Sequence, residues 1–411
     1  MRLVSVTIES IPIGKPLAYP LRDEKGQLLA KQGYVFQRRD ELHEWEQRGV
    51  AFFVDEEESE LHNKAFIGKL IHMVHRGSAI GEIANTRIAK VLPLNTPEDE
   101  PDDTGPPDWL DLQVQANAVL RDVESPRFLA KLQSLNRRLM RLSASTPDSC
   151  LFALFHLSAS EIRLYSATHA MLVSVMCMLA AREVLNWHEE EQRQIGLAAL
   201  TMNIGMTELQ DQLAAQIPPL EPNQKEAVAH HAARAVDLLK AAGVTDAVWL
   251  DAVQLHHDVP PGPMTDRTPA QRMARLIQRA DIYSARLSPR ASRLPMSPAA
   301  AMQASYFDEH KQVDEAGAAL IKAIGIYSPG SFVKLHTQEV AVVVHRGLNT
   351  TTPKVAVLIN REGMPTVEPV VRDTANRDYR IVASVPHRDV KLQINLERML
   401  TLTTGNRGFR G

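Results

Sequence analysis

Apolar positions recur at helical spacing through the middle of the chain and at strand-like spacing near its end. Leu110, Val114, Val119 and Leu120 give one helical stripe, and Phe128, Leu129, Leu132, Leu135 and Leu139 give a second. Pro126 separates the two helices, because proline removes a backbone donor and clashes with the preceding turn. Residues 170–181 form an apolar run broken by Ser174. That run is far short of the roughly 20 residues needed to cross a bilayer, so it predicts a buried helix within a bundle over about 147–326. A further helix over 246–257 ends before Pro260-Pro261. Beyond Tyr327 the runs at 340–344, 355–359 and 379–382 are β-branched and separated by turns such as Asn360-Arg-Glu-Gly363, and a helical turn at 396–400 follows.

The first 92 residues read differently. Apolar stretches at 14–21 and 27–30 flank the turn Asp23-Glu-Lys-Gly26, which predicts a hairpin. A helix at 38–48, a strand at 51–54, a helix at 57–77 and a strand at 87–92 complete a small α+β module. It lacks the paired arginines and Asp-x-Ser-x-x-Gly of a PilZ-type receptor. Residues 93–107 are rich in Pro, Asp and Glu and have no aliphatic side chain after Leu94, so they are expected to be a linker. The expected architecture is mainly α: a small module over 1–92, a linker over 93–107, a helical domain over 108–330, and a β-rich, antiparallel C-terminal extension over 331–411.

Composition narrows the function classes. The chain has 411 residues, 44% hydrophobic and 23% charged, with a net charge of -3. This is ordinary soluble-protein chemistry without the basic concentration that nucleic-acid binding needs. No signal peptide or membrane span is expected, and two cysteines suit a reducing compartment, so a cytoplasmic location is expected.

Candidate chemistry lies between Tyr165 and Asp281. His169, His231, His256 and His257, with Asp281, are spread over helices that can pack together, and imidazoles with a carboxylate suit a metal site in a helical bundle. A single histidine on a helix is more often a hydrogen-bonded core residue. Asp281 also reads as a helix cap or an ion-pair partner of Arg279 or Arg290. His156, His188 and His230 are expected to be inert, and Met171, Met176 and Met178 to be core.

Tyr165-x-x-x-His169, the turn at Ile204-Gly205, His231 ahead of Leu238-Leu239, His256-His257, Ala280-Asp281-Ile-Tyr283, and Ile324-Gly-Ile-Tyr-Ser-Pro-Gly-Ser-Phe332 together resemble the HD-GYP family of the HD superfamily. The likeness covers about 146–345. It implies a helical fold and hydrolysis of cyclic di-GMP at a site of two or three iron or manganese ions. The family's His-Asp pair falls on Met202-Asn203, and its phosphate-facing Lys falls on Met206. Asn203 supplies no charge to hold two cations together, Met202 is too soft for iron or manganese, and Met206 removes a cation. Tyr165 stands where a third-metal Glu would be. The family's Gly-Tyr-Pro loop becomes Val259-Pro-Pro-Gly-Pro-Met264, which has no ring to stack on guanine.

The resemblance therefore implies a degenerate, non-hydrolytic binding or regulatory module in bacterial cyclic di-GMP signalling. Its cofactor would be one divalent ion (iron, manganese or zinc) on His169, His231, His256, His257 and Asp281. Its partners would be cyclic di-GMP and signalling proteins such as diguanylate cyclases or response regulators. Two alternatives stay open: a phosphodiesterase with a reduced, mononuclear site, and a scaffold that binds protein alone.

Overall fold

The computed structural model describes residues 107–404 except 161–163 and 393, and nearer the N-terminus residues 3–6, 11, 17, 20–23, 27–31, 34–36, 42 and 51–55. Apart from Leu42, the expected helices over 38–48 and 57–77 and the strand over 87–92 lie outside the described residues, as does almost all of the expected linker. Contacts divide the chain into two compact units, Met1–Ala118 and Val119–Gly411.

In the first unit, β1 (Leu3–Val6), β2 (Leu21–Arg22), β3 (Leu28–Ala30) and β4 (Phe52–Asp55) form an antiparallel sheet in the order β1-β4-β2-β3. The expected hairpin is present as β2 and β3, and the side chain of Asp23 helps close its turn by accepting from Gln27 N at 2.8 Å. Leu21, Phe36, Leu42, Phe52 and Val54 make its core.

A helix α1 (Trp109–Arg121) spans the division between the units. In the second unit the helices are α2 (Phe128–Ser145), α3 (Pro147–Ser160), α4 (Tyr165–Glu183), α5 (Glu189–Thr201), α6 (Thr207–Ala215), α7 (Pro222–Ala229), α8 (His231–Ala241), α9 (Ala247–Leu255), α10 (Pro269–Leu287), α11 (Pro298–Tyr306) and α12 (Glu315–Ile324). The bundle is organised around α4, in which every residue from Tyr165 to Ala181 is buried. A helix apolar on all sides must be enclosed on all sides, and α2, α3, α5, α6, α10 and α12 pack around it. Met171, Met176 and Met178 are core, and Cys150 and Cys177 are free and buried. No helix among the described residues is long and apolar enough to cross a membrane.

The C-terminal extension holds five strands rather than the expected three. β5 (Phe332–Leu335), β6 (Val340–His345), β7 (Lys354–Ile359), β8 (Pro365–Asp373) and β9 (Ile381–Val385) form an antiparallel sheet in the order β8-β7-β6-β5-β9. Tyr379 belongs to a 3-10 turn ahead of β9, and the expected turn at 396–400 is a helix, α13 (Leu396–Thr404). β8 escapes the apolar pattern because it is a mostly exposed edge strand broken by Pro365 and Pro369, a position where proline costs no ladder bond. The sheet is tied to the bundle by Arg346, whose Nε donates to Asp148 Oδ1 at 2.7 Å and whose Nη1 donates to Glu183 Oε2 at 2.6 Å.

Candidate metal centre

The histidines come from α4, from the start of α8 and from just past α9. His169 sits in the second turn of α4, whose first turn is capped from outside: Ser166 N donates to Asp211 Oδ1 at 2.7 Å, placing a carboxylate at a helix N-terminus. On α10, Asp281 faces it, and His169 Nε2 donates to Asp281 Oδ1 at 2.7 Å. Ser284, one turn further along α10, lies 3.0 Å from His169 Nδ1. Both ring nitrogens of His169 are thus engaged. The partner of Asp281 is His169, not Arg279 or Arg290: Arg279 pairs with Glu309, and Arg290 donates to the Tyr165 hydroxyl at 2.9 Å.

His231 opens α8 and His256 follows the last turn of α9. Trp249 fastens α9 in place, its indole N–H donating to Thr201 Oγ1 at the end of α5, 2.9 Å away. Because α9 ends at Leu255, His256 and the adjacent His257 are released from helical spacing, and their rings both turn toward His231. One nitrogen from each of the three rings lies within 4.8 Å of the others. His231 Nδ1 donates to Val228 O and His256 Nδ1 donates to Val253 O, each at 2.6 Å. A carbonyl only accepts, so both rings carry their proton on Nδ1 and present a bare Nε2 lone pair. Those two Nε2 atoms lie 3.1 Å apart.

Two acceptors at that distance repel unless a positive charge lies between them. A proton is a poor candidate: burial, reinforced by the neighbouring His257, holds His256 far below its ordinary 6.5, at about 3. Burial likewise lowers His231, against the pull of its bond to Val228. A divalent cation suits neutral imidazoles, and three of them leave an open position. Asp281 lies within the electrostatic reach of all four rings. Burial pushes its carboxyl up, and His169, His257 and His256 outweigh that effect and hold it at about 2.

The turn within Met202–Met206 packs directly on the start of α8, the helix that His231 opens. A Cβ on Gly205 would fall 2.4 Å from the backbone oxygen of His231, so only glycine allows the 3-10 turn Ile204–Met206 to lie so close to α8. Met202 is fully buried, Asn203 is 7% exposed, and Asn203 Oδ1 is buried without a hydrogen-bond partner. The three imidazoles form a donor set for one cation, and neither Met202 nor Asn203 brings a charge to the turn beside them.

Beside the turn lies a cavity of about 180 Å³ lined by Met206, Gln210, Gln216, Val228, Arg290 and Ser292, among others. Arg290 stacks over the Tyr165 ring at 5.2 Å, has a buried Nε without a hydrogen-bond partner, and pairs with no carboxylate among the described residues. Tyr165 in turn lies parallel to His169 at 5.6 Å. Arg290 stands outside the ligand set expected from the sequence. Its signal there is the cluster Arg286, Arg290 and Arg293 just past Asp281, without an acidic residue among them. Of the histidines expected to be inert, His188 caps α5 and His230 bonds Glu226 O at 2.9 Å.

With this geometry in view, the chain is similar to the cyclic di-GMP phosphodiesterase PA4108 of Pseudomonas aeruginosa, at 26% identity over 265 residues that cover 62% of each chain. No family model matches the chain. Among solved structures it is similar to Bd1817, a HDG"Y"P protein from Bdellovibrio bacteriovorus, at 12% identity and a TM-score of 0.42, covering 78% of this chain and 98% of that one. The match to PA4108 spans 62% of that relative's length. Among the described residues, His231, His256 and His257 form a group able to hold a metal ion.

Proposed function

We propose that this chain is a binding module of cyclic di-GMP signalling. It holds one divalent cation, of iron, manganese or zinc, on His231, His256 and His257 and accepts a phosphate-bearing ligand beside it without cleaving it. The observation that carries the reading is the pair of bare Nε2 atoms of His231 and His256 facing each other at 3.1 Å. When bound, the cation would supply Lewis acidity toward a phosphoryl oxygen. Asp281, held ionised by its histidines, adds negative charge near the cation, and His169 and Ser284 orient it. The guanidinium of Arg290, which has no carboxylate partner among the described residues, makes the adjacent cavity suited to an anion. Cyclic di-GMP is the first ligand to test, because the relative PA4108 is a cyclic di-GMP phosphodiesterase. Signalling proteins such as diguanylate cyclases or response regulators are the proposed partners.

Retention without cleavage follows from Asn203. Two-metal phosphoryl chemistry needs cations about 3.5–4 Å apart, and a neutral amide does nothing to screen their repulsion. The expected result is about one equivalent of metal per chain by elemental analysis, calorimetric binding of cyclic di-GMP that weakens about tenfold or more in Arg290→Gln, and no linear product. Turnover abolished by a chelator would instead establish a mononuclear phosphodiesterase. That reading is favoured by Asp281, of which, among the described residues, only Oδ1 is engaged by a protein hydrogen bond. Binding to a protein partner with neither metal nor nucleotide would leave the scaffold alone.

A further inference from the structure

Of the three clustered imidazoles, two are aimed by their own hydrogen bonds: His231 to Val228 O and His256 to Val253 O. His257 is exposed, and its ring makes no hydrogen bond among the described residues. What fixes it is its backbone. Gln278, on α10, donates from Nε2 to His257 O at 3.0 Å. The Gln278 amide is itself held in that orientation by Arg275, whose Nη1 donates to Gln278 Oε1 at 2.6 Å and to Val259 O at 2.8 Å. Past the proline loop, Met264 N donates to Glu315 Oε2 at 2.7 Å, so the backbone carrying His257 is gripped at three points.

The grip has an anchor. Arg275 and Arg279 are 1% and 2% exposed, and two buried guanidiniums on one helix persist only with matched acceptors. Asp314, which caps α12, accepts from Arg275 Nε at 2.7 Å, while Glu309 accepts from both arginines. Arg279 also donates to Phe307 O at 3.1 Å. The segment between α11 and α12 therefore closes over the arginines from one side, and Gln278 passes the constraint to His257 on the other.

We propose that Gln278, locked by Arg275 and the Glu309–Asp314 carboxylates, is the positioning residue that aims His257 at the cation, so that the third imidazole is set through the backbone rather than through its ring. The inference rests on the metal reading above, and it predicts that Gln278 acts on the cation only by way of His257. Partners outside the ligand set commonly govern metal affinity by about 10- to 100-fold.

The test is a double-mutant cycle read by Co(II) titration on the full chain, with visible absorption as the signal. Gln278→Met should weaken Co(II) about tenfold or more. In a His257→Ala background the same change should add nothing. Gln278→Glu, which still accepts from Arg275 but cannot donate to the carbonyl, should reproduce the loss and serves where the Met variant folds poorly. Long-range proton–nitrogen spectra of the metal-free protein give a second readout, in which Gln278→Glu should alter the His257 ring signals and leave those of His231 and His256 in place. Unchanged Co(II) affinity in both variants, or losses that add fully to that of His257→Ala, would overturn the proposal. If the wild-type protein takes up no Co(II), the metal reading fails, and the metal-free spectra still decide whether Gln278 sets His257.

Discussion

On one side of the site α8 and α9 bring three imidazoles together, two of them with their protons pinned to backbone carbonyls and their lone pairs turned inward. On the other side the turn after α5 offers a buried thioether from Met202 and a buried amide from Asn203, whose oxygen has no partner. The two sides meet closely, Gly205 lying directly against the His231 backbone. They differ only in the chemistry of their side chains. Backbone contact between Gly205 and the start of α8 keeps the turn beside the histidines.

The sharpest break of that comparison is a pair of truncations. His256→Ala removes a ligand whose ring is wholly buried, and it should lower divalent-metal affinity by about 100-fold or more in a competition titration with a chelating dye. Asn203→Ala should change it by less than about tenfold, since a neutral amide is a weak ligand. Equal losses from the two variants would show that the donor-poor side carries as much of the cation as the histidines do.

Packing gives the next largest effect. Gly205→Ala forces a methyl to within 2.4 Å of the His231 carbonyl, where the atom in the way is backbone and cannot swing aside. A cost of about 2–3 kcal/mol is expected, read as a fall in thermal midpoint. Gly363→Ala is the control. That residue also has a positive φ, 81°, but meets nothing within 4 Å, so only the backbone strain of about 1–2 kcal/mol applies. If Gly205→Ala costs no more than Gly363→Ala, the turn is not held by close contact with α8.

How much of this was legible in the sequence follows from which forces act locally. The buried helix over 170–181 was legible because an apolar run of that length exceeds a usual strand, and α4 contains it. The end of α9 was legible only in part: Pro260-Pro261 sets a limit to the expected helix over 246–257, but the helix stops at Leu255 and leaves both histidines beyond it. β8 was not, since an exposed edge strand need not alternate apolar and polar residues. Arg290 was not, because its role depends on a cavity assembled from α6, α7 and the chain beyond α10. Nor was the His169–Asp281 pair: local sequence cannot choose among His169, Arg279 and Arg290 as the partner of one carboxylate, and the packing of α4 on α10 does.

Acid offers a milder way to separate the two sides. An unfolded chain protonates its histidines near 6.5, whereas His256 stays neutral in the fold until about pH 3. Between those values the unfolded state binds more protons, so stability falls as pH drops below 6.5. Asp281 acts in the same direction lower down: its ordinary 3.8 is held at about 2, so its contribution is lost as pH falls from 3.8 toward 2. Denaturant midpoints of the metal-free protein should decline from pH 7 to pH 4, and His256→Ala should flatten the upper part of that decline. A wild-type profile that is flat between pH 6.5 and 4 would mean that His256 is not held neutral.

The smallest expected change restores charge to the donor-poor side. Asn203→Asp alters one atom type without altering shape, yet its sign should depend on the cation. In the metal-free protein it places a carboxylate where the amide oxygen is buried and unpartnered, a cost of about 1–2 kcal/mol. With manganese present the same carboxylate faces a cation, and the variant should recover its stability and take up more than one equivalent per chain. The wild-type protein, with a neutral amide there, should show neither the loss nor the second equivalent. A variant that melts with the wild type in both conditions and binds no additional manganese would mean that Asn203 does not face the histidine cluster, and the two sides would then not form one site.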